Sequence, residues 1–266
     1  MSFVHIGALA LVQGITEFLP VSSSGHLVLV PIITGWPDQG LIIDVAVHVG
    51  TLGAVMLYFW RDIGRMILGI VSLGKERNGN GARLAGYLIV ATVPVAVAGL
   101  AVNYYLADAL RSLTVIAWAT LIFGLVLYVA DRRGMTVRRV EHMTLFDALI
   151  VGLAQALSLI PGTSRSGITM SAARMLGLER AEAARFSMLL SIPAILGAGA
   201  LKTRDLYAAG DIQLSLDAAL AAGLAFVTAL IAIAVLMAWL KRATFTPFVV
   251  YRVLLGGVLL ALAYGT

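Results

Sequence analysis

The hydrophobic positions of this chain run in long blocks rather than in the alternations of a half-buried strand or the narrow stripes of a soluble helix. A helix that crosses a bilayer needs about 20 mainly apolar residues. Six stretches meet that length: residues 42–60, 84–106, 113–130, 185–201, 216–240 and 246–264. Two further blocks, 3–34 and 145–176, are apolar at their ends and interrupted in the middle, around Pro20–His26 and Pro161–Gly167. Each is too long for one crossing and short for two. The pattern predicts a re-entrant helix–loop–helix hairpin in each, because non-helical backbone at membrane depth is tolerated only where protein or a water-filled cavity surrounds it.

The interrupted centres resemble one another. Residues 11–26 read LVQGITEFLPVSSSGH and residues 153–168 read LAQALSLIPGTSRSGI. Gln13 and Gly25 are displaced from Gln155 and Gly167 by the same interval, while the prolines slip by one position. Three spanning segments lie between the hairpins, so the second opens to the opposite membrane face. The expected fold is therefore all-α and polytopic, with six transmembrane helices and two re-entrant hairpins in an inverted-topology repeat. Residues 1–266 form a single membrane domain, with repeat one at about 1–130 and repeat two at about 145–266. Sites in such folds lie near the midplane, where the interrupted elements meet.

Composition changes the solvent, not the pattern. Sixty per cent of the residues are hydrophobic and 12% are charged, about half the charged share of a soluble domain. There are no cysteines, which excludes disulfides, thiolate catalysis and cysteine-held metals. The net charge of +5 reads as cationic loops rather than a nucleic-acid surface. In the six-span layout Arg61, Arg65, Lys75, Arg77, Arg83, Arg132, Arg133, Arg138, Arg139, Arg174, Arg180, Arg185, Lys241 and Arg242 share one side, and Arg111, Lys202 and Arg204 the other. The positive-inside rule makes the first side cytoplasmic and both termini periplasmic. The N-terminus lacks a basic region before its first apolar stretch, so no cleavable signal is expected. Arg165 falls in the second tip and Arg252 in the last helix.

An ionisable group inside a membrane is costly, and its default reading is functional. The first tip offers Gln13, Glu17, Ser22, Ser23, Ser24, Gly25 and His26; the second offers Ser158, Thr163, Ser164, Arg165 and Ser166. Gln13 and Glu17 are four apart and share a helix face. Serine hydroxyls and backbone N–H groups near Gly25 and Gly167 suit an anion, Arg165 suits a phosphate, and His26 can carry protons near neutrality. Glu17 can take a divalent cation shared with phosphate oxygens. Together these are the parts for phosphoryl transfer. The plainer readings are that Ser158, Ser166 and Ser171 are close-packing residues, that Arg165 pairs with Glu17 structurally, and that His26 is a satisfied buried histidine. Asp44 and His48 either line the cavity or pair with each other.

At QGITEFLPVSSSGH (Gln13–His26) and PGTSRSG (Pro161–Gly167) the chain resembles the bacterial undecaprenyl-pyrophosphate phosphatases of the bacitracin-resistance type. Asp44–Arg61 and Ser191–Gly199 carry the same resemblance, so it runs nearly end to end. It implies an acid anhydride hydrolase that converts undecaprenyl pyrophosphate to undecaprenyl phosphate and phosphate, recycling the cell-wall lipid carrier in the inner membrane. It implies help from Mg²⁺ or Ca²⁺, a site open to the periplasm and a homodimer as one possible assembly. By the same resemblance Glu17, Ser23, His26 and Arg165 are the catalytic residues, with Glu17 the metal ligand. Substrate binding falls to Gln13, Ser22, Ser24, Gly25, Thr163, Ser164 and Ser166. Some members have glutamate where this chain has Gln13, which leaves Glu17 the one carboxylate at its tip. The nucleophile stays open between Ser23, His26 and water. The rival reading of the architecture is a transporter or flippase for the same lipid.

Overall fold

The structure, a computed structural model, describes residues 2–37, 40–72, 80–105, 112–209 and 212–265. Its helices are α1 (Phe3–Thr16), α2 (Ser23–Thr34), α3 (Gly40–Tyr58), α4 (Trp60–Val71), α5 (Asn80–Tyr105), α6 (Leu113–Arg133), α7 (Leu145–Ala156), α8 (Arg165–Met175), α9 (Arg180–Ala209), α10 (Ile212–Leu240) and α11 (Thr246–Tyr264). Among the described residues there is no strand, only an isolated bridge between Arg138 and Leu178. The expected all-α class holds. Lys75, Arg77 and Arg111, counted in the charge argument, lie outside the described residues.

Local chemistry sets the helix ends. The Ser2 and Ser112 hydroxyls accept from His5 N and Val115 N at the starts of α1 and α6, and Thr144 with Asp147 forms a reciprocal cap on α7. Such caps satisfy backbone donors that the helix itself leaves open. Pro247 opens α11, where its missing N–H costs nothing.

Asn80–Val102, Leu113–Arg133, Leu216–Leu240 and Thr246–Tyr264 are each long and apolar enough to cross a membrane. Ile42–Tyr58 and Trp60–Val71 qualify only as a pair, bent by 78°. The protein is thus a multi-pass membrane protein, with four or five spanning elements by length and composition among the described residues. The sixth expected stretch, 185–201, runs through α9, which begins with Arg180, Glu182 and Arg185 and is not among the qualifying helices. Within it Phe186, Met188, Leu189 and Leu190 are fully buried, while Leu196 is exposed. By contrast Ile89, Val93, Val97 and Leu100 form an exposed ridge along α5. Exposed at that spacing, they meet lipid rather than water.

The two broken blocks pack reciprocally. Helix α1 lies against α10, and α7 lies against α5. A methyl group at Gly14 would collide with Thr228, and one at Gly152 would press on the Ala91 backbone at 2.6–2.9 Å. Small residues let the backbones approach, as is usual between membrane helices. Helix α6 pairs with α11 and also touches α8.

Many of the basic residues used to read sidedness are tied to acids at one end of the bundle. Asp131 holds Arg180 at 2.6 Å and the fully buried Arg174 at 3.3 Å. Asp62 holds Arg185 at 2.6 Å, and Asp147 holds Arg138 at 2.6 Å.

Candidate active site at the two tips

Helix α1 stops at Thr16, and the chain turns through Glu17–Val21 with Val21 N bonded to Leu19 O. Helix α2 then begins beneath Ser22, which adopts a left-handed φ of 74° and whose hydroxyl accepts from Gly25 N at 3.4 Å. The second tip repeats the device. Helix α7 tightens into a turn over Leu157–Leu159, passes Gly162, and restarts as α8 beneath Ser164 at φ 69°, whose hydroxyl accepts from Gly167 N at 3.2 Å. Ser22 and Ser164 are the non-glycine residues with positive φ among those described. Left-handed backbone at serine is strained, and such outliers gather at functional sites. Gly162 needs its own freedom: its φ is 95°, and a Cβ there would run into the Ile116 carbonyl.

The tips are fastened to each other. Gly162 N donates to Ser24 Oγ at 3.1 Å, and Ser166 Oγ donates to Leu19 O at 2.9 Å. Ser22 and Ser24 hydroxyls lie 3.2 Å apart, and those of Ser164 and Ser166 lie 3.1 Å apart.

Glu17 is the hub. It is buried at 8% exposure. Its Oε1 accepts from Arg165 Nη2 at 2.8 Å, so the carboxylate of one tip meets the guanidinium of the other. Its Oε2 accepts from Ser23 Oγ at 3.2 Å and from Gln13 Nε2 at 2.7 Å. The Gln13 amide also reaches His48 Nε2 at 3.0 Å. His48 donates through Nδ1 to Asp44 O at 2.7 Å, which turns Nε2 toward Gln13 and Glu17. Helix α3 thus joins the site through His48, one of the two readings left open for that residue.

Of the residues singled out in the sequence, Gln13, Glu17, Ser23 and Arg165 form one hydrogen-bonded group. Ser24 and Ser166 stitch the tips, and Ser22, Gly25 and Ser164 form the caps. Thr163 is fully buried with its hydroxyl unpartnered. His26 is committed elsewhere: Nδ1 donates to Ser22 O at 2.7 Å, and Nε2 meets the Tyr251 hydroxyl at 2.5 Å. The His26 and Tyr251 rings are stacked with centroids 5.5 Å apart.

Two buried atoms at this hub have no partner, Arg165 Nη1 and Gln13 Oε1. Buried polar atoms are nearly always bonded, so each exception needs a reason. A phosphate oxygen satisfies the first. A hard cation would satisfy the second, since Mg²⁺ and Ca²⁺ take amide and carboxylate oxygens together with water and phosphate. Among the described residues no three acidic, histidine or cysteine side chains cluster as a metal cage. Gln13 Oε1 and the Glu17 carboxylate are the groups that would hold a cation here, together with oxygens of a phosphorylated ligand.

A cavity of about 360 Å³, lined by Asp62, Arg65, Arg83, Tyr87, Glu141 and Arg185 among others, lies away from these residues. Its charges largely satisfy each other: Arg185 bonds Asp62, Glu141 and Glu182.

A family model described as bacitracin resistance protein BacA matches residues 6–258. The chain is similar to a protein named undecaprenyl-diphosphatase from Ruegeria pomeroyi, at 54% identity over 99% of this chain and 100% of that one. It is likewise similar to proteins of the same name from Roseobacter denitrificans, at 55% identity, and from Jannaschia sp., at 53%, with the same coverage.

Proposed function

The chain belongs to the bacitracin resistance protein BacA family, and we infer from this and from the tip geometry that it hydrolyses undecaprenyl pyrophosphate. The products are undecaprenyl phosphate and inorganic phosphate, and the reaction recycles the lipid carrier of cell-wall synthesis. The observation that carries the mechanism is the Glu17 carboxylate, bonded on one oxygen to the Ser23 hydroxyl and on the other to Arg165.

Three features of that arrangement bear on catalysis. The hydroxyl proton of Ser23 already points at Glu17, so Glu17 is the base within reach, whereas His26 is held by Ser22 and Tyr251. Arg165 keeps Nη1 free for a phosphate oxygen. The starts of α2 and α8 add backbone N–H groups and positive dipole ends. In the proposed course Ser23 Oγ bonds to the terminal phosphorus as its proton passes to Glu17 Oε2. The bridging P–O bond breaks and undecaprenyl phosphate leaves. Water then attacks the phosphoserine, Ser23 recovers the proton from Glu17, and phosphate is released. A divalent cation, Mg²⁺ or Ca²⁺, held by Glu17 and Gln13 Oε1 would neutralise charge on the diphosphate.

The membrane layout follows the same reading: an inner-membrane protein of six crossings and two re-entrant hairpins, with repeats at about 1–130 and 145–266. Both termini and the site face the periplasm, and a homodimer is the proposed assembly. The matched left-handed caps at Ser22 and Ser164 and the reciprocal packing of α1 on α10 and α7 on α5 support the inverted repeat. A transporter reading is not favoured, because a gate has to part the tips and these are tied through Ser24 and Ser166. The test is phosphate release from undecaprenyl pyrophosphate by the purified chain in detergent, with and without Mg²⁺ or Ca²⁺. Turnover lost in Ser23→Ala and Arg165→Ala supports the assignment; turnover retained in either overturns it.

A further inference from the structure

Arg252 sits midway along α11 and is fully buried. No carboxylate lies against it among the described residues. Its Nε donates to Thr120 O at 3.1 Å, Nη1 to Thr163 O at 3.0 Å and Pro20 O at 3.5 Å, and Nη2 to Gly162 O at 3.0 Å and Ala119 O at 3.5 Å. A guanidinium has five N–H groups, and here each has a carbonyl. Those carbonyls come from the first tip, the second tip and α6. With every donor used, Arg252 has none left for a substrate.

A charge placed in a membrane interior without a counter-charge needs a reason. We propose that Arg252 is a positioning residue that holds the second tip as an anion cradle and lends it positive potential from behind. The C=O and N–H of a trans peptide point in opposite directions. Anchoring the Thr163 carbonyl on Arg252 therefore turns the Ser164 N–H the other way. The N–H groups of Ser164, Arg165 and Ser166 meet no acceptor among the described residues. They lie at the start of α8, whose first residue, Arg165, also carries the unpartnered Nη1. That side-chain atom and the backbone donors have no partner among the described residues. The ligand class they suit is a diphosphate or phosphate headgroup, and in this the proposal rests on the hydrolase reading above.

The probe is inorganic pyrophosphate, measured as an inhibitor and by direct binding to the purified full chain. Wild type is compared with Arg252→Lys, Gly124→Ala and Leu259→Ala. Lysine keeps a charge but cannot reach carbonyls on three elements. A methyl at Gly124 would sit 3.0 Å from Arg252 Cβ and 3.4 Å from its Nε, displacing the side chain without removing it. Leu259 is buried on the same helix, and its truncation reports lost stability alone. The expected result is pyrophosphate affinity and kcat/KM down about tenfold or more in Arg252→Lys and by a smaller factor in Gly124→Ala. Leu259→Ala lowers the unfolding temperature and leaves affinity within about twofold. Unchanged affinity in both Arg252→Lys and Gly124→Ala, or an equal loss in Leu259→Ala, overturns the cradle. So does a wild type that does not bind pyrophosphate. A wild type that binds pyrophosphate with the expected variant pattern but releases no phosphate from the lipid overturns the hydrolase reading and leaves this one standing.

Discussion

Arg165 Nη2 lies 2.8 Å from Glu17 Oε1, joining residues 148 apart in sequence across the junction of two hairpins. Both side chains are nearly buried, at 15% and 7% exposure. Removing one partner strands the other charge, at a cost of about 3–5 kcal/mol for buried pairs. Arg165→Ala and Glu17→Gln should each cut turnover by at least about 10²-fold, the scale of losing a positioned base or charge donor. The double variant should lose less than the product of the two, because the second change removes a charge already unpaired. Phosphate-release kinetics on the four proteins measure the coupling, and strict multiplicativity would show that the pair does not act as a unit.

Ser22 carries both a cap and a strained backbone, and these separate by substitution. Ser22→Ala loses the bond to Gly25 N, at a cost of roughly 1 kcal/mol, and keeps the strained φ near 74° that the serine already has. Ser22→Gly loses the same cap but relieves the backbone. The glycine variant should therefore unfold at a higher temperature than the alanine variant, and the reverse order would place the strain elsewhere.

For the cation, Gln13 is the informative position. EDTA should abolish turnover, and excess Mg²⁺ or Ca²⁺ should restore it. Gln13→Glu adds a carboxylate beside Glu17 and should lower the cation concentration needed for half-maximal rate. Gln13→Leu removes the free amide oxygen and should raise it. An unchanged metal titration in both variants would place the cation away from Gln13.

Acid should loosen the charged end of the bundle. Burial pushes the Asp147 carboxyl upward, but hydrogen bonds from Arg138 and Thr144 outweigh it and hold the group below its ordinary 3.8. A carboxylate depressed in the folded state stabilises fully above its unfolded value, and that contribution disappears as pH falls through the folded value. Unfolding temperature in detergent should thus drop below about pH 4, and drop less steeply in Asp147→Asn. Parallel curves would assign the acid sensitivity to other groups.

Glu17, Ser23 and Arg165 were legible in the sequence because they interrupt apolar blocks, and a polar cluster there has few uses besides a site. The rest of the site comes from helices that read as ordinary spans. His48 and Tyr251 reach Gln13 and His26 from positions 35 and 225 residues away, a convergence that only the packing of α3 and α11 decides. Arg252 did carry a signal, a lone cation within an apolar helix, but its partners are backbone carbonyls that leave no trace in side-chain identity. The stretch 185–201 is a related case. Its apolar residues look the same whether they face lipid or, as Phe186 and Leu189 do, the protein interior.

Ser23 and Arg165 each stand one residue beyond a left-handed serine, Ser22 and Ser164, so they occupy the same station in two copies of one turn. An assembly of two identical half-length chains would have to repeat itself at that station, serine facing serine or arginine facing arginine. Within one polypeptide the two copies are free to differ, and here one carries serine and the other arginine at that station. The asymmetry of the junction therefore comes from the divergence of two halves that share a backbone turn, since each copy can lose what the other supplies.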